Sequence, residues 1–242
     1  MIAINIENLT KKYKDITAVD NLSLIVNEGE LFSLLGVNGA GKTTTIKMLS
    51  CLTKPTEGNA YLLGKSIITE DSEIKTFIGV SPQETAIAKG LTVKENLDLM
   101  CGIFGFNKEQ KNSKIVELST LLGLNSVMNK KANKLSGGYQ RRLSIALALI
   151  SEPKILFLDE PTLGLDVIAR SELWDIIKSL KNKSTIILTT HYMEEAEELS
   201  DRVAIMKDGK LLECDTVNKI KEKTNTDTLE KAFIKVVKGE TK

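Results

Sequence analysis

Apolar and polar residues alternate through the opening stretch MIAINIENL, as in a strand with one buried face, and LSLIVNEGELFSLLG reads as a strand, an Asn-Glu-Gly turn and a second strand. Together they predict a small antiparallel start. The alternation then gives way to short, uniformly apolar runs, LFSLL, ILFLD and TIILTT, each followed by a turn and a helical pattern. Strands buried on both faces of a parallel α/β sheet have this pattern. Between residues 84 and 150 helical spacing takes over, most clearly in TVKENLDLMCGIFG and KIVELSTLLGL. After Leu188 come a helix, MEEAEELSDR, and a hairpin, VAIMKDGKLLE, whose Asp208-Gly209 pair suits a tight turn. The expectation is one α/β domain with a core at 1–83 and 151–218. That core holds a mainly parallel sheet and a small antiparallel β part. An α-helical subdomain is inserted at 84–150, and a short charged tail occupies 219–242, with one apolar pattern in TLEKAFIKVV.

Composition narrows the functional classes. A chain of 242 residues with 42% hydrophobic content can bury a sizeable core, and its formal net charge of +1 provides no general field for nucleic acid or an anionic membrane. No nucleic-acid partner is expected. The N-terminus lacks a charged stretch followed by an apolar one, and runs such as IALALI are far too short to span a bilayer, so a soluble, cytoplasmic chain is expected. Cys51, Cys101 and Cys214 are scattered without metal-ligand spacing and read as reduced core residues.

Chemistry concentrates at the ends of the apolar runs. In GVNGAGKTT, Asn38, Gly39, Ala40 and Gly41 form a loop whose amides can wrap phosphates. Lys42 is placed to reach the terminal phosphates, and Thr43, with Thr44 beside it, offers a hydroxyl to Mg²⁺. ILFLDEP ends in two carboxylates: Asp159 suits the metal, and Glu160 is placed to orient or deprotonate a water. His191, the single histidine, follows TIILTT at the strand edge where a nucleotide would sit. The acidic run Glu194, Glu195, Glu197 and Glu198 reads as a solvated first helical turn. Gln83 can reach the metal and Tyr13 can stack on a purine, although both are equally compatible with a plain surface role. In LSGGYQRR, Ser136 suits a helix cap, and Gly137 and Gly138 leave amides bare for a second anion.

These motifs, in this order and over essentially the whole chain, resemble the ATP-binding subunits of ABC transporters, with a phosphate-loop NTPase core. GVNGAGKTT resembles the Walker A loop, Gln83 the Q-loop glutamine, LSGG the family signature and ILFLDE the Walker B strand. Asp166, in GLD, resembles the D-loop aspartate, His191 the switch histidine and Tyr13 the adenine-stacking aromatic. The fifth signature position departs from the common LSGGQ: it is Tyr139, with Gln140 next. The resemblance implies ATP and Mg²⁺ as cofactors, and the signature of one copy capping ATP held by another. Glu160 is then the catalytic base, His191 the γ-phosphate sensor and Lys42 a phosphate ligand. It also implies a homodimer at the cytoplasmic face of the membrane, bound to an integral membrane permease of the drug- or sodium-export type. The rival readings are a soluble ABC ATPase acting in assembly and a small-molecule kinase.

Overall fold

The computed structural model describes residues 1–181 and 183–240; residues 182, 241 and 242, the last two from the charged tail, lie outside that description. In chain order the elements are β1 (Ile2–Tyr13), β2 (Ile16–Asn27), β3 (Leu31–Leu35), α1 (Lys42–Leu49), β4 (Glu57–Leu62), β5 (Lys65–Ser66), α2 (Asp71–Phe77) and β6 (Ile78–Ser81). Then come α3 (Val93–Ile103), α4 (Lys108–Leu121), α5 (Gly137–Leu149), β7 (Ile155–Asp159), α6 (Val167–Leu180) and β8 (Thr185–Thr190). The chain finishes with α7 (Met193–Leu199), β9 (Arg202–Lys207), β10 (Lys210–Asp215), α8 (Val217–Thr224) and α9 (Leu229–Lys238).

Among the described residues the strands form two sheets. An antiparallel one runs β2-β1-β4-β5, and a second runs β10-β9-β3-β8-β7-β6, parallel except for the β9/β10 hairpin. Every residue of β3, β7 and β8 is buried, which explains their uniformly apolar runs. The reading of β2 and β3 as one antiparallel unit is corrected, because the turn between them moves the chain from one sheet to the other. Gly29 in that turn takes φ 74°, its amide donates to Thr185 Oγ1 at 3.0 Å, and β3 then lies between β8 and β9. The β9/β10 turn does place Asp208 and Gly209 at φ 49° and 79°, the left-handed pair that a tight hairpin requires.

Helices α3 and α4 start with capping boxes, Thr92 with Glu95 and Asn107 with Gln110. Helix α5 packs against both β6 and β7 as well as α3 and α4, so it joins the helical layer to the sheet. The crossing at β6 is tight: a Cβ on Gly79 would stand 2.3 Å from the Ala148 carbonyl oxygen and 2.9 Å from Pro153 Cγ. Gly79→Ala is therefore expected to destabilise the fold by about 1–3 kcal/mol, read as a lower urea midpoint. The tail is more structured than its charge suggests. Thr216 and Thr228 cap α8 and α9, whose Val217, Ile220, Leu229, Ala232, Phe233 and Val236 form a cluster with Val203 and Ile205 of β9. Of the cysteines, Cys101 is buried, whereas Cys51 and Cys214 are only half-buried, a correction to their placement in the core. Burial, aided by Asp71, still pushes the Cys51 thiol up to about 11.

Candidate functional site

Strand register assembles the site. Leu35 pairs with Thr190, Asp159 with Thr189, and Ser81 with Leu158, so Gly36, Asp159, Glu160, His191 and the turn to Gln83 all follow the carboxyl edge of one sheet. The phosphate loop needs its glycines. Gly41 takes φ 99° where a Cβ would meet the Ala18 oxygen at 2.5 Å, and a Cβ on Gly36 would meet the Met206 oxygen at 2.6 Å. Asn38 is exposed and Ala40 buried, its amide donating to Val37 O at 3.1 Å. Gly39, Gly41, Thr43 and Thr44 line an open cleft of about 440 Å³ with Ile16 and Ala18. Tyr13 pairs with Ile16 at the end of β1, half-exposed, with the Lys11 ammonium 5.0 Å from its ring centroid. The ring therefore stands next to the cleft while outside its lining.

Polar groups converge at the strand ends. The Lys42 ammonium donates to Gly36 O at 2.7 Å and lies 3.3 Å from Glu160 Oε1. The other oxygen of Glu160, Oε2, is 2.7 Å from His191 Nδ1, so one buried carboxylate bridges the cation and the imidazole. Glu160 takes φ 49°, uncommon for a residue with a Cβ, and its amide donates to Thr189 O and Oγ1. That turn points its side chain away from Asp159, so the two adjacent carboxylates separate. Asp159 instead accepts from Thr43 Oγ1 at 3.1 Å and from the Thr189 hydroxyl.

Thr43 and Asp159 lie side by side at the loop, whereas no group of three His, Cys, Asp or Glu residues among those described is arranged to hold a metal. That donor set fits magnesium, which is held by few protein ligands together with substrate phosphates and water. Gln83 has an exposed side chain, and its backbone oxygen is what is fixed: Arg141 donates to Pro82 O at 2.7 Å and Gln83 O at 2.8 Å.

The remaining predicted residues face elsewhere. Ser136 stands at the N-terminus of α5 with no side-chain cap bond, correcting its expected capping role, and its hydroxyl, like Gly137, is exposed. Gly138 is half-buried, near Ala169 of α6. Asp166 caps α6, accepting from the Ala169 amide at 2.9 Å, beside exposed Val167 and Ile168.

The acidic run is not uniformly solvated. Glu195 is fully buried, accepts from the Trp174 indole at 3.1 Å, and is pushed above the usual carboxylate range by burial. Glu197 and Glu198 pair with Lys221 and Lys178. Sequence reasoning missed Arg141, Thr189 and Glu195. The spacing of Arg141 four and seven residues before buried Ile145 and Ala148, and of Glu195 four before Leu199, was the available signal.

A phosphate loop, a paired acidic strand end and a histidine on one sheet edge are the parts of a phosphate-loop nucleotide site. The profile of the family described as ABC transporter matches residues 19–163, and the chain belongs to that family. It is 38% identical over 240 residues to a probable multidrug ABC transporter ATP-binding protein, YbhF, of Escherichia coli, covering 97% of this chain and 41% of that protein. It is 37% identical over 228 residues to the daunorubicin/doxorubicin resistance ATP-binding protein DrrA of Streptomyces peucetius, covering 94% of this chain and 69% of that one. The structure matches the bacterial ABC transporter cassette MJ0796, solved as a dimer, with TM-score 0.80 at 32% identity, covering 88% of this chain and 98% of that one. A post-hydrolysis dimer of the same cassette with ADP and Pi matches at TM-score 0.81 and 31% identity. The chain is an ABC ATPase cassette, related to transporter ATP-binding subunits. Among the described residues, no helix is long and apolar enough to cross a membrane.

Proposed function

We propose that this cassette binds MgATP, closes as a homodimer around two nucleotides, and uses hydrolysis to drive export through a separate membrane-spanning permease at the cytoplasmic face of the membrane. The observation that carries the hydrolytic half is Glu160 held between Lys42 and His191. ATP entry transfers the Lys42 ammonium from Gly36 O and Glu160 to the phosphates, and the loop amides and the N-terminus of α1 bind the phosphate oxygens. Glu160, released from Lys42, accepts a proton from the attacking water, and His191 turns toward the γ-phosphate. Thr43, Asp159 and Gln83 would hold magnesium, which would neutralise the charge that develops on the phosphates. Tyr13 stacks on the adenine. Ser136, Gly137 and Gly138 complete the site of the opposite copy, and Asp166 lies at the same contact.

The export half is supported by the names of the relatives: a probable multidrug transporter component and a drug-resistance component. Its test is purification of the Glu160→Gln chain from native membranes with MgATP. A polytopic membrane protein in stoichiometric amount is expected. A soluble partner in its place moves the function to assembly, and with the wild-type chain a phosphorylated small molecule in place of free phosphate revives the kinase.

A further inference from the structure

Helix α6 begins at the cap Asp166 and carries Arg170 one turn in. The Arg170 guanidinium carbon lies 5.3 Å from the ring centroid of Tyr192 and 5.7 Å from that of Trp174, both within reach of cation–π attraction. Tyr192 in turn stands against His191, with ring centroids 4.1 Å apart and planes tilted by 40°, and its amide donates to Thr190 Oγ1 at 2.9 Å. A second contact runs from the same helix. The Trp174 indole N–H donates to Glu195 Oε1 at 3.1 Å, inside the first turn of α7. Glu195 has no exposed surface; the Thr190 and Thr162 hydroxyls lie near enough to favour its charged form, although neither Glu195 Oε2 nor Thr162 Oγ1 makes a hydrogen bond of good geometry among the described residues. A carboxyl buried there is costly unless hydrogen-bonded, and the Trp174 N–H supplies a bond that ties it to α6.

We propose that Arg170 and Trp174, acting through Tyr192 and Glu195, are positioning residues for His191, and that they make the His191–Glu160 contact follow the position of helix α6. The inference rests on the reading of His191 and Glu160 as hydrolytic groups. Helix α6 starts where Val167 and Ile168 are exposed, at 72% and 74%. A partner that closes on this segment moves α6, and the stacked side chains carry that movement to the imidazole without touching ATP.

Two readouts test it. Arg170→Ala is expected to lower kcat about tenfold while KM for ATP changes by less than about twofold, and Arg170→Lys, which keeps a cation beside the rings, to recover about half the rate or more. Trp174 is the only tryptophan of the chain, so its emission reports the cluster directly. MgATP is expected to shift that emission in the Glu160→Gln chain, and Arg170→Ala in the same background to remove the shift. A wild-type kcat in Arg170→Ala, or a rate loss accompanied by Trp174 emission indifferent to MgATP, overturns the inference alone. A wild-type chain that hydrolyses no ATP overturns the underlying reading, and the inference with it.

Discussion

Glu160→Gln is expected to lower ATP hydrolysis by about 10²–10⁴-fold, equivalent to about 3–5 kcal/mol in the barrier, while ATP binding is kept or tightened. The rate falls because the amide cannot accept the proton of the attacking water. Binding is kept because the carboxylate competes with ATP for Lys42, 3.3 Å away. The glutamine removes that competitor and, with it, a negative charge facing the phosphates. The same substitution leaves the buried Lys42 ammonium without its counter-charge in the nucleotide-free chain, a loss of about 1–3 kcal/mol. MgATP supplies the missing negative charge, so it should raise Tm more in Glu160→Gln than in the wild type. Turnover of free phosphate against bound fluorescent nucleotide, with a melting series in ATP, reads all three effects. Full steady-state hydrolysis by the variant would remove Glu160 from the chemistry.

What was legible in the sequence was local. The phosphate loop is a continuous segment whose glycines are demanded by its own backbone, and LFSLL, ILFLD and TIILTT declare burial on both faces without reference to a partner. Because the strands are parallel and in register, placing Asp159, Glu160 and His191 at strand ends already places them together. Legibility fails where a distant element decides. Strands β4 and β5 are short, and only the pairing of β4 with β1, some fifty residues earlier, makes them part of a sheet. Four glutamates in MEEAEEL read as solvated because nothing local says that Trp174 of α6 will cover one of them. Arg141 and Arg142 are neighbours with opposite tasks: Arg141 turns inward to the Pro82 and Gln83 carbonyls, and Arg142 pairs with Glu172 on the surface. The turn from β2 to β3 looks like a hairpin because a two-strand pattern does not say which sheet each strand joins. That is settled by Thr185, more than a hundred residues downstream.

Gly137→Asp should separate folding from function. Gly137 is exposed in the first turn of α5, and a Cβ there meets nothing within 4 Å. An aspartate at that position replaces a flexible glycine and complements the helix dipole, so the fold gains up to about 1 kcal/mol, and Tm is unchanged or higher. In the proposed dimer the same carboxylate would face the γ-phosphate held by the opposite copy. At about 4 Å and an effective dielectric near 20, the repulsion of two unit charges is about 4 kcal/mol, which predicts a loss of hydrolysis of about 10³-fold with ATP binding to the isolated chain unchanged. Mixing then decides whether the damage lies in trans. Gly137→Asp keeps a working phosphate loop, and Lys42→Ala keeps a working signature. Each is inactive alone, but their mixed dimer contains one intact composite site. Equal amounts should recover about one quarter of the wild-type rate, since about half the dimers are mixed and each has one of two sites intact. Recovery of that size places the signature over the partner's nucleotide, whereas no recovery, with mixed dimers shown to form, means that the signature serves its own chain.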